Sequence, residues 1–275
     1  MKKGFTGLKD ADREILLKLS NDRDLLEKCS LDKYFQSICD ENFYNRRLQY
    51  KYPDTHQYKP EDMKWKRYFL RVIYYIAKLQ EDHKFIYKTG DPKIYYEILS
   101  MKNKYQRIHK ASKYGYLDLI ENLIEKEVVD IDENFFLFLH GACGAAESNK
   151  RDLLDYFINK VKNNFLDSIH LINNALGCAV RNGNREQIEY IISKGVNNFV
   201  FAMDEAIKKG DKELIQYLID NGANDWDNAL FDAIINDNKD LIQFFIDKGG
   251  NLNGALQIAV EQDDELLINK VRALM

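Results

Sequence analysis

Proline is nearly absent, with 3 in 275 residues, and the alternation of apolar and polar residues that marks half-buried strands is scarce. Leu, Ile, Lys, Glu and Asp dominate, which is the composition of an all-α protein. No apolar run reaches the roughly 18 residues that a membrane span needs, so a membrane is not expected as a partner. The opening Met1-Lys2-Lys3-Gly4 runs into Lys9-Asp10-Ala11-Asp12-Arg13 without the apolar stretch of a signal peptide. An intracellular location is the expectation.

The chemistry-bearing motifs are missing too. There is no phosphate-binding glycine loop, no Gly-x-Ser-x-Gly and no His-Glu-x-x-His, so no enzyme activity, catalytic residue, cofactor or metal is expected. Four cysteines, Cys29, Cys39, Cys143 and Cys178, show no paired spacing and sit in helical patterns, which reads as reduced, buried thiols. His140-Gly141-Ala142-Cys143 could supply half a metal site, but no second Cys/His pair stands near it in sequence. Cys143 therefore reads as a packed core residue. Gly141 and Gly144 lack any phosphate-loop context.

What is present is 45% hydrophobic and 12% aromatic content, enough to bury a substantial core. The net charge of -4 hides an asymmetry. Residues 1-104 hold 22 basic against 16 acidic side chains, and residues 105-275 hold 18 against 28. These two segments are expected to be separate modules, and the acidic one is poorly suited to a phosphate backbone.

The second segment repeats itself. Ala179-Val180-Arg181-Asn182-Gly183, Ala206-Ile207-Lys208-Lys209-Gly210, Ala233-Ile234-Ile235-Asn236-Asp237 and Ala259-Val260-Glu261-Gln262-Asp263 recur with alanine spacings of 27, 27 and 26. An apolar ladder follows the first three: Ile188, Ile191, Ile192; Leu214, Ile215, Leu218, Ile219; Leu241, Ile242, Phe245, Ile246. That is the stripe of a helix buried on one side, and Gly195, Gly222 and Gly249 close these helices. Each unit thus reads as a short helix with a small-residue face, a tight turn and a longer amphipathic helix. One unit cannot cover its own apolar face and must stack.

Asp220-Asn221-Gly222-Ala223-Asn224 resembles the turn of ankyrin repeats, and Ile108-His109-Lys110-Ala111 resembles their opening motif, in which His109 would tie turn backbone groups together. On that template further units open at Ala111 and Ala145, making about six short repeats and a terminal cap ending at Met275. The family's usual period is about 33 residues, so the later units are too short for a projecting β-hairpin finger. The resemblance implies a protein that binds a target protein, whose identity the sequence does not give. Contacts are expected on the first-helix face, at the variable pairs before each turn: Lys113 and Tyr114, Glu147 and Ser148, Arg181 and Asn182, Lys208 and Lys209, Ile235 and Asn236, Glu261 and Gln262.

Residues 7-50 read as short helices, with Asp12, Asn21 and Asp32 as N-caps. Their order resembles an F-box, the adaptor-binding motif of cullin-RING ubiquitin ligases: Glu14-Ile15-Leu16, Asp24-Leu25-Leu26, Cys29 through Phe35, and Phe43 stand where that motif has its signatures. Leu8-Lys9 or Ala11-Asp12 occupies the place of its opening Leu-Pro. The resemblance implies contact with the small ligase adaptor through Leu8, Ile15, Leu16, Leu25 and Leu26. The whole chain is similar to F-box-like ankyrin proteins encoded by large DNA viruses, which implies action in the host-cell cytoplasm. The other reading is an ankyrin scaffold or competitive inhibitor with no ubiquitin role. Between the modules, Trp65, Phe69, Val72, Ile73 and Ile76 share one helical face with bases mostly opposite. This favours a buried amphipathic helix over a nucleic-acid surface. The expected architecture is an all-α F-box-like module packed on an ankyrin solenoid.

Overall fold

Asn and Asp side chains start most of the helices. Asn21, Asp40, Asp91, Asn103, Asn164, Asn184, Asp211, Asp225, Asn238, Asn251 and Asp264 each accept a hydrogen bond from a backbone N–H of the first turn, satisfying donors that the helix itself leaves orphaned. The computed structural model describes residues 9–31, 33–127 and 131–275. Among them there is no strand, and the chain divides into two compact units, Met1–Lys102 and Asn103–Met275.

The first unit contains α1 (Lys9–Leu17), α2 (Asp22–Ser30), α3 (Lys33–Ile38), α4 (Glu41–Lys51), α5 (Trp65–His83) and α6 (Pro92–Leu99). Leu16, Leu25, Phe35, Ile38, Phe43, Tyr44, Leu48, Tyr68, Phe69 and Val72 form one core, with Trp65, Ile73 and Ile76 packed at its edge. Asn21 is the N-cap of α2, as its sequence position suggests. Asp12 is not a cap. It lies wholly buried inside α1 and accepts a 2.6 Å hydrogen bond from the Tyr34 hydroxyl. Asp32 lies outside the described residues.

Arg47 of α4 is also wholly buried. Its guanidinium donates to the carbonyls of Leu17 and Leu19 and to Asp22 Oδ1 at 2.7 Å, and so joins the end of α1 to the start of α2. Burial pushes the Asp22 carboxyl up, but hydrogen bonds from Lys51, Tyr52 and Arg47 outweigh it and hold the group below the ordinary carboxylate value.

The second unit is six helix pairs: α7 (Lys104–Tyr114) with α8 (Leu117–Glu127), α9 (Ile131–Glu147) with α10 (Arg151–Val161), α11 (Phe165–Asn182) with α12 (Arg185–Ile192), α13 (Val200–Lys209) with α14 (Lys212–Asp220), α15 (Trp226–Ile235) with α16 (Lys239–Asp247), and α17 (Leu252–Glu261) with α18 (Glu265–Arg272). Each odd-numbered helix packs on the next. Ala111, Ala145, Ala179, Ala206, Ala233 and Ala259 are all wholly buried at equivalent positions, because only a methyl group fits where successive first helices approach.

After each first helix one residue turns left-handed: Gly115, Asn149, Gly183, Gly210, Asp237 and Asp263. Three of these are not glycine, and Asn and Asp are the L residues that tolerate this region best. Among the described residues, the pairs whose alanines are 34 residues apart do not spend the extra length on fingers. They lengthen the first helix instead, to 17 residues in α9 and 18 in α11 against 10 in α13, α15 and α17. Side chains pin the connecting turns: Asn173 Oδ1 accepts from the backbone of Asn197 and Asn198 at 3.2 and 3.4 Å, and Asp227 Oδ1 accepts from Asn251 N at 2.7 Å.

The cysteines are not reduced thiols. Cys29 is bonded to Cys39, and Cys143 to Cys178, with Cα separations of 5.7 and 5.4 Å. Folding brings Cys29 of α2 and Cys39 just after α3, and likewise Cys143 of α9 and Cys178 of α11, into the range a disulfide spans, and sequence spacing alone does not reveal this.

Candidate protein-binding face

The first helices of the second unit end in a charged ladder that crosses four helix pairs. Lys113 Nζ of α7 lies 3.1 Å from Glu147 Oε2 of α9, and Arg181 Nη1 of α11 lies 3.6 Å from Glu147 Oε1. Arg181 then makes two hydrogen bonds to Glu205 of α13, at 3.0 and 2.9 Å, and Lys208 Nζ comes within 3.7 Å of Glu205 Oε1. Lys208 also pairs with Asp204 at 2.6 Å.

Glu147 holds the centre of the ladder. Its side chain is only 7% exposed and has His109 Nε2 3.4 Å away as well as the two cations. Burial raises its pKa, but hydrogen bonds and charge from His109 and Lys113 outweigh that and bring it to about 2. Two anions shielded within a row of cations act as inter-repeat ties, and charge-assisted bonds of this kind fix side-chain rotamers.

The remaining expected contact residues vary in what the stack leaves open. Tyr114 is exposed and stacks on Tyr116, with ring centroids 5.6 Å apart. Ser148 is half-buried. The amide nitrogens of Asn182 and Asn236 donate back to the carbonyls of Cys178 and Asp232. Lys209 Nζ donates to Val180 O at 3.0 Å, tying one helix pair to the one before. Ile235, Glu261 and Gln262 are exposed at the ends of α15 and α17.

A groove of about 200 Å³ opens beside the ladder, lined by Asn198, Phe199, Met203, Asn224, Asn228 and Asp232 among others. Desolvation, and then the neighbouring charge of Asp204, push the Asp232 carboxyl up to about 7, although Lys208 opposes this. Sequence reasoning missed Glu205 and Asp232. The signal was available: each is an acidic residue immediately before a wholly buried alanine, a position that the other units fill with Lys110, Gly144, Cys178 and Ile258.

Residues 139–226 match the family model of ankyrin repeats, in 3 copies. The C-terminal half carries ankyrin repeats. No curated protein and no solved structure matches the chain. The ankyrin repeats support a role in protein–protein interaction, and no catalytic family is indicated. Among the described residues no helix is long and apolar enough to cross a membrane.

Gly141 and Gly144 serve ankyrin packing. A Cβ at Gly141 would stand 2.3 Å from the Phe157 ring, and one at Gly144 would stand 2.2 Å from the His109 carbonyl oxygen.

In the N-terminal unit, Leu8 lies outside the described residues. Leu16 and Leu25 are wholly buried in that unit's core, while Ile15 and Leu26 are half-buried. Among its described residues, the exposed large apolar side chains are Leu31, Tyr50, Leu70, Tyr74 and Ile86. Three bases on α5 are already engaged: Arg71 with Asp91 at 3.3 Å and Lys78 with Glu81 at 3.2 Å, with Lys66 over the Tyr44 ring.

Proposed function

We propose that the protein works without catalysis, capturing a target protein on the first-helix face of its ankyrin repeats. The observation that supports this reading is the ladder from Lys113 through Glu147, Arg181 and Glu205 to Lys208. It holds side chains of different chemistry in fixed positions across four repeats. A surface ordered before binding loses less entropy when a partner arrives, and the residue pairs before the turns, from Lys113 and Tyr114 to Glu261 and Gln262, differ as pairs in every repeat and can supply specificity. The test is capture of a cellular target by the full chain and by Ile235→Glu/Asn236→Lys, whose positions carry none of the ladder's charges. Loss of at least tenfold in affinity with unchanged thermal stability supports the reading. Undiminished binding by this variant and by Lys208→Glu/Lys209→Glu would refute it.

A second reading adds a ligase link. The N-terminal unit has its own core, its helix order resembles that of an F-box, and Ile15 and Leu26 keep part of their surface open. These two would contact the small adaptor of a cullin-RING ubiquitin ligase, so that the protein raises the concentration of ligase near its target in the host-cell cytoplasm. Co-purification of the adaptor by the full chain, lost in Ile15→Asp/Leu26→Asp while the target is retained, would support this. Target capture with no adaptor would leave a scaffold or competitive inhibitor.

A further inference from the structure

Cys143 belongs to two arrangements at once. Its sulfur is bonded to Cys178, yet it also lies in a cluster with His109 and Glu147 in which the ligand atoms are all within 4.8 Å of one another. His109 Nε2 is 3.4 Å from Glu147 Oε1, and Cys143 Sγ is 3.9 Å from the same oxygen. A tetrahedral zinc with sulfur, nitrogen and oxygen ligands at their usual bond lengths holds those atoms about 3.3–3.8 Å apart. The two edges at Glu147 therefore lie close to those of a zinc site, the third is within 4.8 Å, and Cys178, 5.4 Å from Cys143 between Cα atoms, is placed to give the fourth ligand.

We infer that Cys143, Cys178, His109 and Glu147 form a redox-gated zinc site that fastens three successive ankyrin repeats together. Opening the site takes two electrons and two protons from a dithiol reductant, which closes to its own disulfide while the Cys143–Cys178 bond breaks into two thiols. Zinc then displaces both thiol protons as the sulfurs coordinate. Two thiolates and a carboxylate around a divalent ion leave one net negative charge. Lys113 and Arg181, already within 3.1 and 3.6 Å of Glu147, offset it. Arg181 keeps its two bonds to Glu205 in this state, so the ladder is not dismantled. In the oxidised form one covalent link joins α9 to α11; in the reduced, metal-bound form α7, α9 and α11 share one centre.

The full chain is reduced with a phosphine, freed of reductant under nitrogen and titrated with Co²⁺ as a visible probe. The expected result is one equivalent bound with a sulfur-to-cobalt charge-transfer band and the d–d bands of tetrahedral coordination. Zn²⁺ should then displace the cobalt. The same protein left oxidised should show no such band, and this comparison needs no variant. Cys143→Ser/Cys178→Ser should abolish the band and His109→Gln should weaken binding at least tenfold, whereas Cys29→Ser/Cys39→Ser should leave both unchanged. A reduced chain with free thiols that takes up no Co²⁺ overturns the inference. So does an equal band in the oxidised chain or in Cys143→Ser/Cys178→Ser.

Discussion

Replacing Asp232 by Asn should make the protein more stable, and the gain should grow with pH. The side chain stands half-buried on α15, and its carboxyl is pushed from 3.8 to about 7 by desolvation and by the charge of Asp204. An acid whose folded pKa lies above its unfolded one supports the fold only while protonated. Its contribution is complete below pH ~4, fades as pH rises through 7, and above that the folded state carries the whole penalty. Roughly three pH units at 1.36 kcal/mol each put the ceiling near 4 kcal/mol. Water in the groove and relaxation of Lys208 reduce the measurable part to about 1–3 kcal/mol.

Asn has nearly the same volume as Asp and no charge to desolvate, so it removes that penalty without opening a cavity. Urea unfolding of both proteins at pH 5, 6, 7 and 8 reads the difference directly, provided that the slope with urea is the same in the two chains. The advantage of Asp232→Asn should climb between pH 5 and 7 and level off by pH 8. Asp204→Asn, by removing the charge that adds to desolvation in raising Asp232, should make the rise smaller. A difference constant across this range, or an Asn variant less stable at pH 8, would refute the assignment of a desolvated carboxyl at this site.

Gly144→Ala should cost at least 2 kcal/mol, since the new methyl would meet the His109 carbonyl at 2.2 Å and backbone cannot step aside. Gly210→Ala, whose nearest obstacle is 3.7 Å away, should cost only about 1 kcal/mol for its φ of +64°; urea midpoints rank the two. Glu147→Gln should lose about 1–3 kcal/mol at pH 7, because a carboxyl held at about 2 stabilises the fold above its unfolded value near 4.5 and ceases to as pH falls through 2. The gap from the parent should therefore close in acid, as followed by circular dichroism. Arg47→Met strips the guanidinium from the Leu17 and Leu19 carbonyls and from Asp22, and a cost of about 3–5 kcal/mol is expected, read from Trp65 fluorescence in urea.

The alanine register was legible in the sequence because one physical demand repeats six times: where first helices approach, nothing larger than a methyl group fits. Ala111 and Ala145, placed by template across longer spacings, meet the same demand as Ala259. The destination of the extra residues was not legible. A finger and a longer helix need the same number of residues, and the apolar run Phe135 to Leu139 could have served either. Long-range partners were equally hidden. Asp12 has the residue type of a cap, but Tyr34 draws it inside. Cys143 stands two residues before its alanine and Cys178 one before, so a strict register comparison never aligns them although they are bonded. The central place of Glu147 could have been found, since it occupies the same register as Lys113 and Arg181 with opposite charge.

That register divides the face into two kinds of position. Lys113, Glu147 and Arg181 use their charge on neighbouring repeats, Lys208 uses its own within α13 on Asp204 and Glu205, and a charge already paired gives little further energy to a partner. Substituting them disturbs stacking and recognition together, so a loss of binding there has two explanations. Ile235, Asn236 and Gln262 occupy equivalent places in later repeats, and among the described residues they bring no charge to the ladder. Recognition can change at these positions while the stack stays the same. Under the proposed function, the repeats centred on Glu147 therefore supply rigidity, and the repeats beyond Lys208, next to the Asp232 groove, are where a partner's chemistry would be selected independently of it.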